Sequence, residues 1–337
     1  MLALIKAFYF IPILMLNFLY QIIIINITMS VKRPAYSRLV KELRSGRFVI
    51  TGELEPEKVT GLEEIMASAR AMKPYVTAAN VTDNPLAFAY MNSLVPSYMV
   101  QKEVGLEAVY QMTIRDRNRL ALVSDVLAAS YLDIKNILAI SGDHTVLGDN
   151  RGALSVYDLD SAQFVYLLHK MVDEGVDLAG NEIHGKVELN VGIAANPNAD
   201  PLEPEVLKIG RKTKLGVDFI QTQTVFDIDL IKTFLKEVEK YNTPVLVGIF
   251  PLKSYGIADF FDKNIPGVHV PPDLLGKMKK AKDEPDKERK YQLYDEVNME
   301  FFAPFIKEIK KTTKAAGIHV MAVLYERIFE PLLKETM

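Results

Sequence analysis

From residue 47 onward the chain switches repeatedly between two hydrophobic periods. Short runs rich in β-branched and aromatic residues at 48–54, 76–81, 107–113, 136–141, 187–195, 219–222, 244–250 and 318–323 read as strands. Between them, apolar residues three and four apart over 62–72, 120–130, 162–172, 205–214 and 230–240 read as amphipathic helices. Thr60 with Glu63 has capping-box spacing, Asp160 with Gln163 is a looser version, and Asp227 is placed to cap the helix over 230–240. Eight β-then-α units in this order predict a single-domain (β/α)8 TIM barrel. A doubly wound sheet would bring a Gly-rich phosphate turn, and neither G-x-G-x-x-G nor G-x-x-x-x-G-K-[ST] occurs.

Three segments break the rhythm. Residues 8–27 are almost unbroken apolar, long enough to span a bilayer, yet they carry Pro12, Asn17, Gln21 and Asn26 and no small-residue cleavage site follows. The expectation is translation from Met29, which divides the chain into an apolar segment 1–28 and a barrel domain 29–337; a membrane anchor is the alternative. Residues 142–160 follow the fourth strand and are long, polar and Gly/Asp-rich, which marks them as an active-site loop or a tolerated insertion. Residues 277–290 mix Lys, Arg, Asp and Glu, the pattern of a solvated helix–turn–helix.

Composition narrows the chemistry. Forty Lys+Arg against 43 Asp+Glu, a net charge of −3, gives no electrostatic case for nucleic acid. The absence of Cys removes disulfides, thiolate nucleophiles and Cys-based metal sites, and it fits a reducing cytoplasm. The five His stand at no metal-ligand spacing, so no metal is expected. Carboxylates, amides or a cofactor must therefore act.

In a barrel of this kind those groups belong at the C-terminal ends of the strands. The candidates there are Glu53 and Glu55, Thr77 to Asn80, Gln111, Ser141-Gly142-Asp143-His144, Ala194-Ala195-Asn196, Gln221 with Gln223, and Phe250. Such a ring of acids and amides suits a neutral aromatic ligand and a carboxylic acid that exchanges a proton. A glutamate in a barrel mouth loses hydration, which raises a carboxyl's pKa and fits it for general-acid work. From the residues alone, Glu53 is either that acid or a surface glutamate at a strand end, and Asp143 is either a functional acid or a turn residue. Gln221 and Gln223 alternate on an apolar strand, where inward amides meet a ligand or one another. His319 reads as structural and His144 as bonded within its loop.

Ile50-Thr51-Gly52-Glu53-Leu54-Glu55-Pro56, Val76-Thr77-Ala78-Ala79-Asn80, Asn136 to His144, Val156 to Ser161, Phe219-Ile220-Gln221-Thr222-Gln223 and Gly248-Ile249-Phe250-Pro251, in this order, resemble the methylenetetrahydrofolate reductase family over residues 47–325. Residues 266–271 and 317–322 are similar to its branch in acetogens, other anaerobes and some archaea. The resemblance implies a ping-pong reaction in which NAD(P)H reduces a bound flavin and methylenetetrahydrofolate, or a related tetrahydropterin, then takes the hydride. It implies Glu53 as general acid, Asp143 as the acid beside flavin and pterin, and Gln221 and Gln223 as substrate contacts. It places Thr77, Gln111, Ser141, Gly142, Asp143, Tyr157, Ala195 and Lys214 at flavin-contacting positions. Gln111 and Ser141 stand where better-known members carry His and Arg, so the cofactor expectation is FAD, with FMN or a flavin-free hydride transfer as alternatives. Cytoplasmic location and a homo-oligomer are further expectations, with a subunit fed electrons by a partner protein as the alternative.

Overall fold

The computed structural model describes residues 33–336, so the apolar segment 1–28 lies outside the described residues. Strands apolar on both faces must be covered on both, and parallel closure with helices outside satisfies every one. The strands are β1 (Val49–Leu54), β2 (Ala78–Val81), β3 (Glu107–Thr113), β4 (Asn136–Ile140), β5 (Asn190–Ala195), β6 (Phe219–Thr224), β7 (Val245–Ile249) and β8 (Gly317–Val320). Each pairs in parallel with the next, and β8 closes on β1, giving the expected TIM barrel. The helices are α1 (Arg38–Arg44), α2 (Glu63–Met72), α3 (Leu94–Met99), α4 (Arg119–Tyr131), α5 (Ser161–His169), α6 (Glu203–Thr213), α7 (Ile228–Val238), α8 (Tyr255–Asn264), α9 (Pro272–Lys282), α10 (Lys287–Thr312) and α11 (Phe329–Thr336). Among the described residues no helix is long and apolar enough to cross a membrane.

Local signals were obeyed unevenly. Asp160 and Gln163 form a full capping box on α5, and the Asp227 side chain accepts from Asp229 N and Leu230 N at the start of α7. The Thr60/Glu63 box does not form, because α2 starts at Glu63 with Leu62 as its cap. The mixed-charge run is the α9–turn–α10 corner.

The barrel interior divides into an apolar end and a polar end. At the N-terminal end of the strands Val49, Ala78, Val109, Leu138, Phe219 and Leu246 form one cluster with Leu39, Val40 and Leu43 of α1. Phe219 lies over Gly192 of the neighbouring strand, where a Cβ would come within 2.3 Å of the ring. α1 therefore works as a bottom plug. Glu107 accepts the Arg38 and Leu39 N–H groups at 2.7 and 2.9 Å, a carboxylate at a helix N-terminus. The Asn190 carboxamide accepts from Tyr36 N and Ser37 N at 2.9 and 3.0 Å and donates to Pro34 O at 3.0 Å. Arg33, fully buried, bonds Asp173 at 2.7 Å.

Closing the bottom leaves the opposite end for ligands. Asn190→Leu strands two backbone donors and one acceptor inside the plug, and is expected to lower unfolding free energy by about 2–3 kcal/mol. Urea denaturation checks this; a loss below about 0.5 kcal/mol would mean that water replaces the carboxamide.

Candidate active site

Above the plug the inward positions turn polar. Strand register sets Thr51 beside His319 and Glu53 beside Asn80. Asn80 Nδ2 donates to Gln221 Oε1 at 2.7 Å, and Gln221 Nε2 donates to Asn80 Oδ1 at 3.0 Å and to Thr51 Oγ1 at 3.2 Å. Thr51 Oγ1 lies 3.0 Å from His319 Nδ1, and His319 Nε2 lies 3.3 Å from Glu53 Oε2. Gln111 Nε2 donates to the same Glu53 oxygen at 3.2 Å. Thr51, Asn80, Gln221 and His319 are all buried, so a buried polar layer satisfies itself and presents Glu53 on its upper side.

A cavity of about 380 Å³ opens above this layer. Glu53, Gln111, Ser141, Gly142, Asp143, Ala195, Gln221 and Gln223 all line it, so most of the expected site residues are brought together. The loop after β4 is fastened to the loop after β2. Asp143 accepts the Leu86 N–H at 2.9 Å, while Arg115 donates to Asp143 O at 3.0 Å and to Asn84 O at 3.3 Å. Asn84, Leu86 and Ala87 have φ of 49°, 51° and 58°, left-handed values that L-residues hold only when their surroundings impose them. The surroundings are visible: a Cβ at Gly148 would sit 1.9 Å from Ala87 O, so the loops after β2 and β4 interlock through a glycine. Below them, Arg117 Nη1 and Thr113 bond the buried Asp83 at 2.6–2.9 Å and tie β2 to β3.

Five expected site residues are placed otherwise than the sequence suggests. Thr77 precedes β2, and its hydroxyl donates to Glu42 of α1 at 2.8 Å, which puts it at the plugged end. The strand starts two residues later than its β-branched run suggests, so Asn80 is the inward residue. Gln221 spends both N–H bonds and its carbonyl inside the polar layer, whereas Gln223 lines the cavity with its Nε2 uncommitted among the described residues. Tyr157 is exposed on the loop after β4 and does not line the cavity. Lys214 caps the C-terminus of α6, away from the mouth. Ala195 reaches the cavity edge, but strand alternation turns Ala194 inward.

Two residues were underrated by sequence. His319 is the partner of Glu53. Lys212, two residues before Lys214, lines the cavity with Lys208 while only 3% exposed, and it makes no hydrogen bond or ion pair among the described residues. Burial first, and then Lys208, pull its ammonium down to about 8, against Glu205 and Asp160. A buried cation without a partner, opening on a cavity, fits an anionic group such as a nucleotide phosphate. Among the described residues no cluster could hold a metal ion.

Beside the mouth a second cavity of about 500 Å³ lies between the loop after β1 and residues 323–326. Glu55 lines it. Burial first, then the negative charges of Glu53 and Glu57, push Glu55 up to about 7 against the pull of Lys253.

The chain matches the model of the methylenetetrahydrofolate reductase family over residues 38–336. Among solved structures it is similar to an uncharacterized protein from Clostridium thermocellum that binds two copies of 5-methyl-5,6,7,8-tetrahydrofolic acid, at 14% identity and a TM-score of 0.58. That match covers 89% of this chain and 97% of the other, and it is a likeness of fold. Further off are 2,3-dimethylmalate lyase (13% identity, TM-score 0.42, covering 77% of this chain and 92% of that one) and a protein of Aquifex aeolicus VF5 (12%, 0.43, 78% and 96%).

Glu55 ties stability to pH. A carboxyl whose folded pKa is raised contributes fully below its unfolded value near 4.5, and that contribution is lost as pH rises through about 7. Glu55→Gln is therefore expected to match wild type at pH 4.5 and to be more stable by about 1 kcal/mol at pH 8, after allowance for solvent access. Unfolding curves at the two pH values decide; an equal difference at both would place the effect elsewhere.

Proposed function

The chain belongs to the methylenetetrahydrofolate reductase family, whose reaction is an oxidoreduction of a folate, and on that premise we propose that it reduces 5,10-methylenetetrahydrofolate to 5-methyltetrahydrofolate with electrons from NAD(P)H. The observation that carries this reading is Glu53, a carboxyl set on a self-satisfied polar layer at the floor of a cavity that also receives Asp143 and Gln223. A flavin nucleotide, FAD before FMN, supplies when bound a two-electron carrier between nicotinamide and folate.

Each residue has a task in this reading. Glu53 gives a proton to a nitrogen of the five-membered ring of the substrate, which opens it to the reactive iminium ion. Asp143 keeps a negative charge on the rim, favouring that cation. Gln223 directs amide hydrogens at the pterin. Lys212 and Lys208 would hold the phosphates of the nucleotide. The chain's lack of cysteine accords with a reducing cytoplasm.

A second reading, electrons delivered by a partner protein, draws on one observation. Leu147, Leu154, Val156 and Tyr157 are exposed together on the loop after β4, with Leu154 at 92%. Free NAD(P)H turning over the isolated protein would remove its basis.

Two experiments test the main reading. Glu53→Gln is expected to leave the NAD(P)H half-reaction near wild type while slowing the folate half-reaction by about 10²–10⁴-fold, because the proton is needed only there. Equal loss in both halves, followed by stopped-flow absorbance, would refute the assignment. Flavin-nucleotide affinity should fall as pH rises through about 8, where Lys212 loses its charge, and this pH dependence should vanish in Lys212→Met. Affinity that is flat across that range in wild type would take Lys212 out of the phosphate site.

A further inference from the structure

The two oxygens of Glu53 are not equivalent. Oε2 receives both protein donors, Gln111 Nε2 at 3.2 Å and His319 Nε2 at 3.3 Å, whereas Oε1 has no protein partner among the described residues and is not shut away from solvent. From this asymmetry we infer that Glu53 Oε1 carries the transferable proton and that His319 is a positioning residue, locked by the amide layer as the Nε2–H tautomer so that it always donates to Oε2.

The lock follows from counting donors. Gln221 has two N–H groups, and both are placed: one goes to Asn80 Oδ1 and one to Thr51 Oγ1. Its carbonyl is taken by Asn80 Nδ2. Thr51 Oγ1 accepts from Gln221, and its own buried O–H has no acceptor among the described residues other than His319 Nδ1, 3.0 Å away, so it donates there. Nδ1 then accepts, and a neutral imidazole must carry its proton on Nε2, toward Glu53. Two N–H donors on Oε2 leave it no room for a proton of its own. The acidic hydrogen therefore sits on Oε1.

The inference rests on the proposed reaction and assigns its proton to an atom. The Oε1–H bond breaks as an N–H bond forms on the substrate nitrogen. The ring C–N bond opens with its electron pair moving to that nitrogen, and the carboxylate left behind keeps both donors on Oε2. Nothing in the layer has to move, and solvent in the cavity returns the proton. His319 thereby makes Glu53 a stronger acid, since a hydrogen bond to the charged form favours it.

The test has two arms. In protein labelled with ¹⁵N-histidine, whose five residues are assigned with the help of His319→Gln, the His319 ring should show the neutral Nε2–H pattern near pH 7. An Nδ1–H or doubly protonated ring would overturn the lock, and this readout needs no turnover. In the second arm the folate half-reaction is followed against pH. His319→Met should move the midpoint of its alkaline fall upward by about 1 pH unit and lower the plateau roughly three- to tenfold. His319→Gln, which restores a donor, should move the midpoint back.

Other charges facing Glu53 are Glu55 beyond the same strand, Asp143 after β4, and Glu205, Lys208 and Lys212 of α6 across the cavity. Glu55 lies near 7 and Lys212 near 8, so the profiles are compared within a Glu55→Gln background that keeps Lys212 constant. A plateau that drops with an unmoved midpoint, equally for Met and Gln, would leave His319 with packing alone. If wild-type protein forms no methyltetrahydrofolate, the proposed reaction fails, and the ring spectrum still decides the donor geometry.

Discussion

A side chain that points into a closed eight-stranded barrel meets other side chains instead of water, and each polar one must find its partner there. This constraint governs the molecule. Thr51, Asn80, Gln221 and His319 occupy neighbouring heights in the lumen and exhaust most of their hydrogen-bonding capacity on one another. The layer is a floor with one chemical outlet, the His319 N–H that reaches Glu53. Replacing any member with an apolar residue would strand its neighbours in a site where an unmade hydrogen bond costs about 1–3 kcal/mol.

The rest of the architecture protects that floor from below and dresses it from above. The α1 plug, with Phe219 laid over Gly192, excludes water from the lower lumen. On the upper side the loops after β2 and β4 are fastened to each other: Asp143 accepts the Leu86 N–H, and its carbonyl and that of Asn84 share Arg115. With one acid on the rim and another on the floor, the cavity sets two carboxyls where the proposed reaction would develop a positive charge. The buried Lys212 lines the same cavity with Lys208, where the proposed nucleotide would set its phosphates.

Periodicity made the barrel legible. All eight expected strands exist, because a strand buried on both faces and a helix buried on one leave different hydrophobic periods in sequence. Glu53, Gln111 and Asp143 were readable as strand-end residues for the same reason. The failures share a cause too: register between strands, and so the height of each inward residue, leaves no trace in a single sequence. Thr77 was therefore set at the mouth although it lies at the plug, and His319 could not be seen beside Thr51. Lys212 did leave a signal. Glu205, Lys208 and Lys212 fall at i, i+3 and i+7, one face of α6, whereas Lys214 is off that face. Gln221 and Gln223 share a face by alternation, but only closure shows that Asn80 uses up the first.

The proposed reaction passes a hydride from nicotinamide to a folate. The most direct measurement is an anaerobic absorbance titration of flavin-loaded protein, first with NADH and then with methylenetetrahydrofolate. The flavin band should bleach, return in full on adding the folate, and yield one methyltetrahydrofolate per flavin reoxidised. A band that bleaches yet does not return with the folate, or protein that holds no flavin and forms no methyltetrahydrofolate, would contradict it.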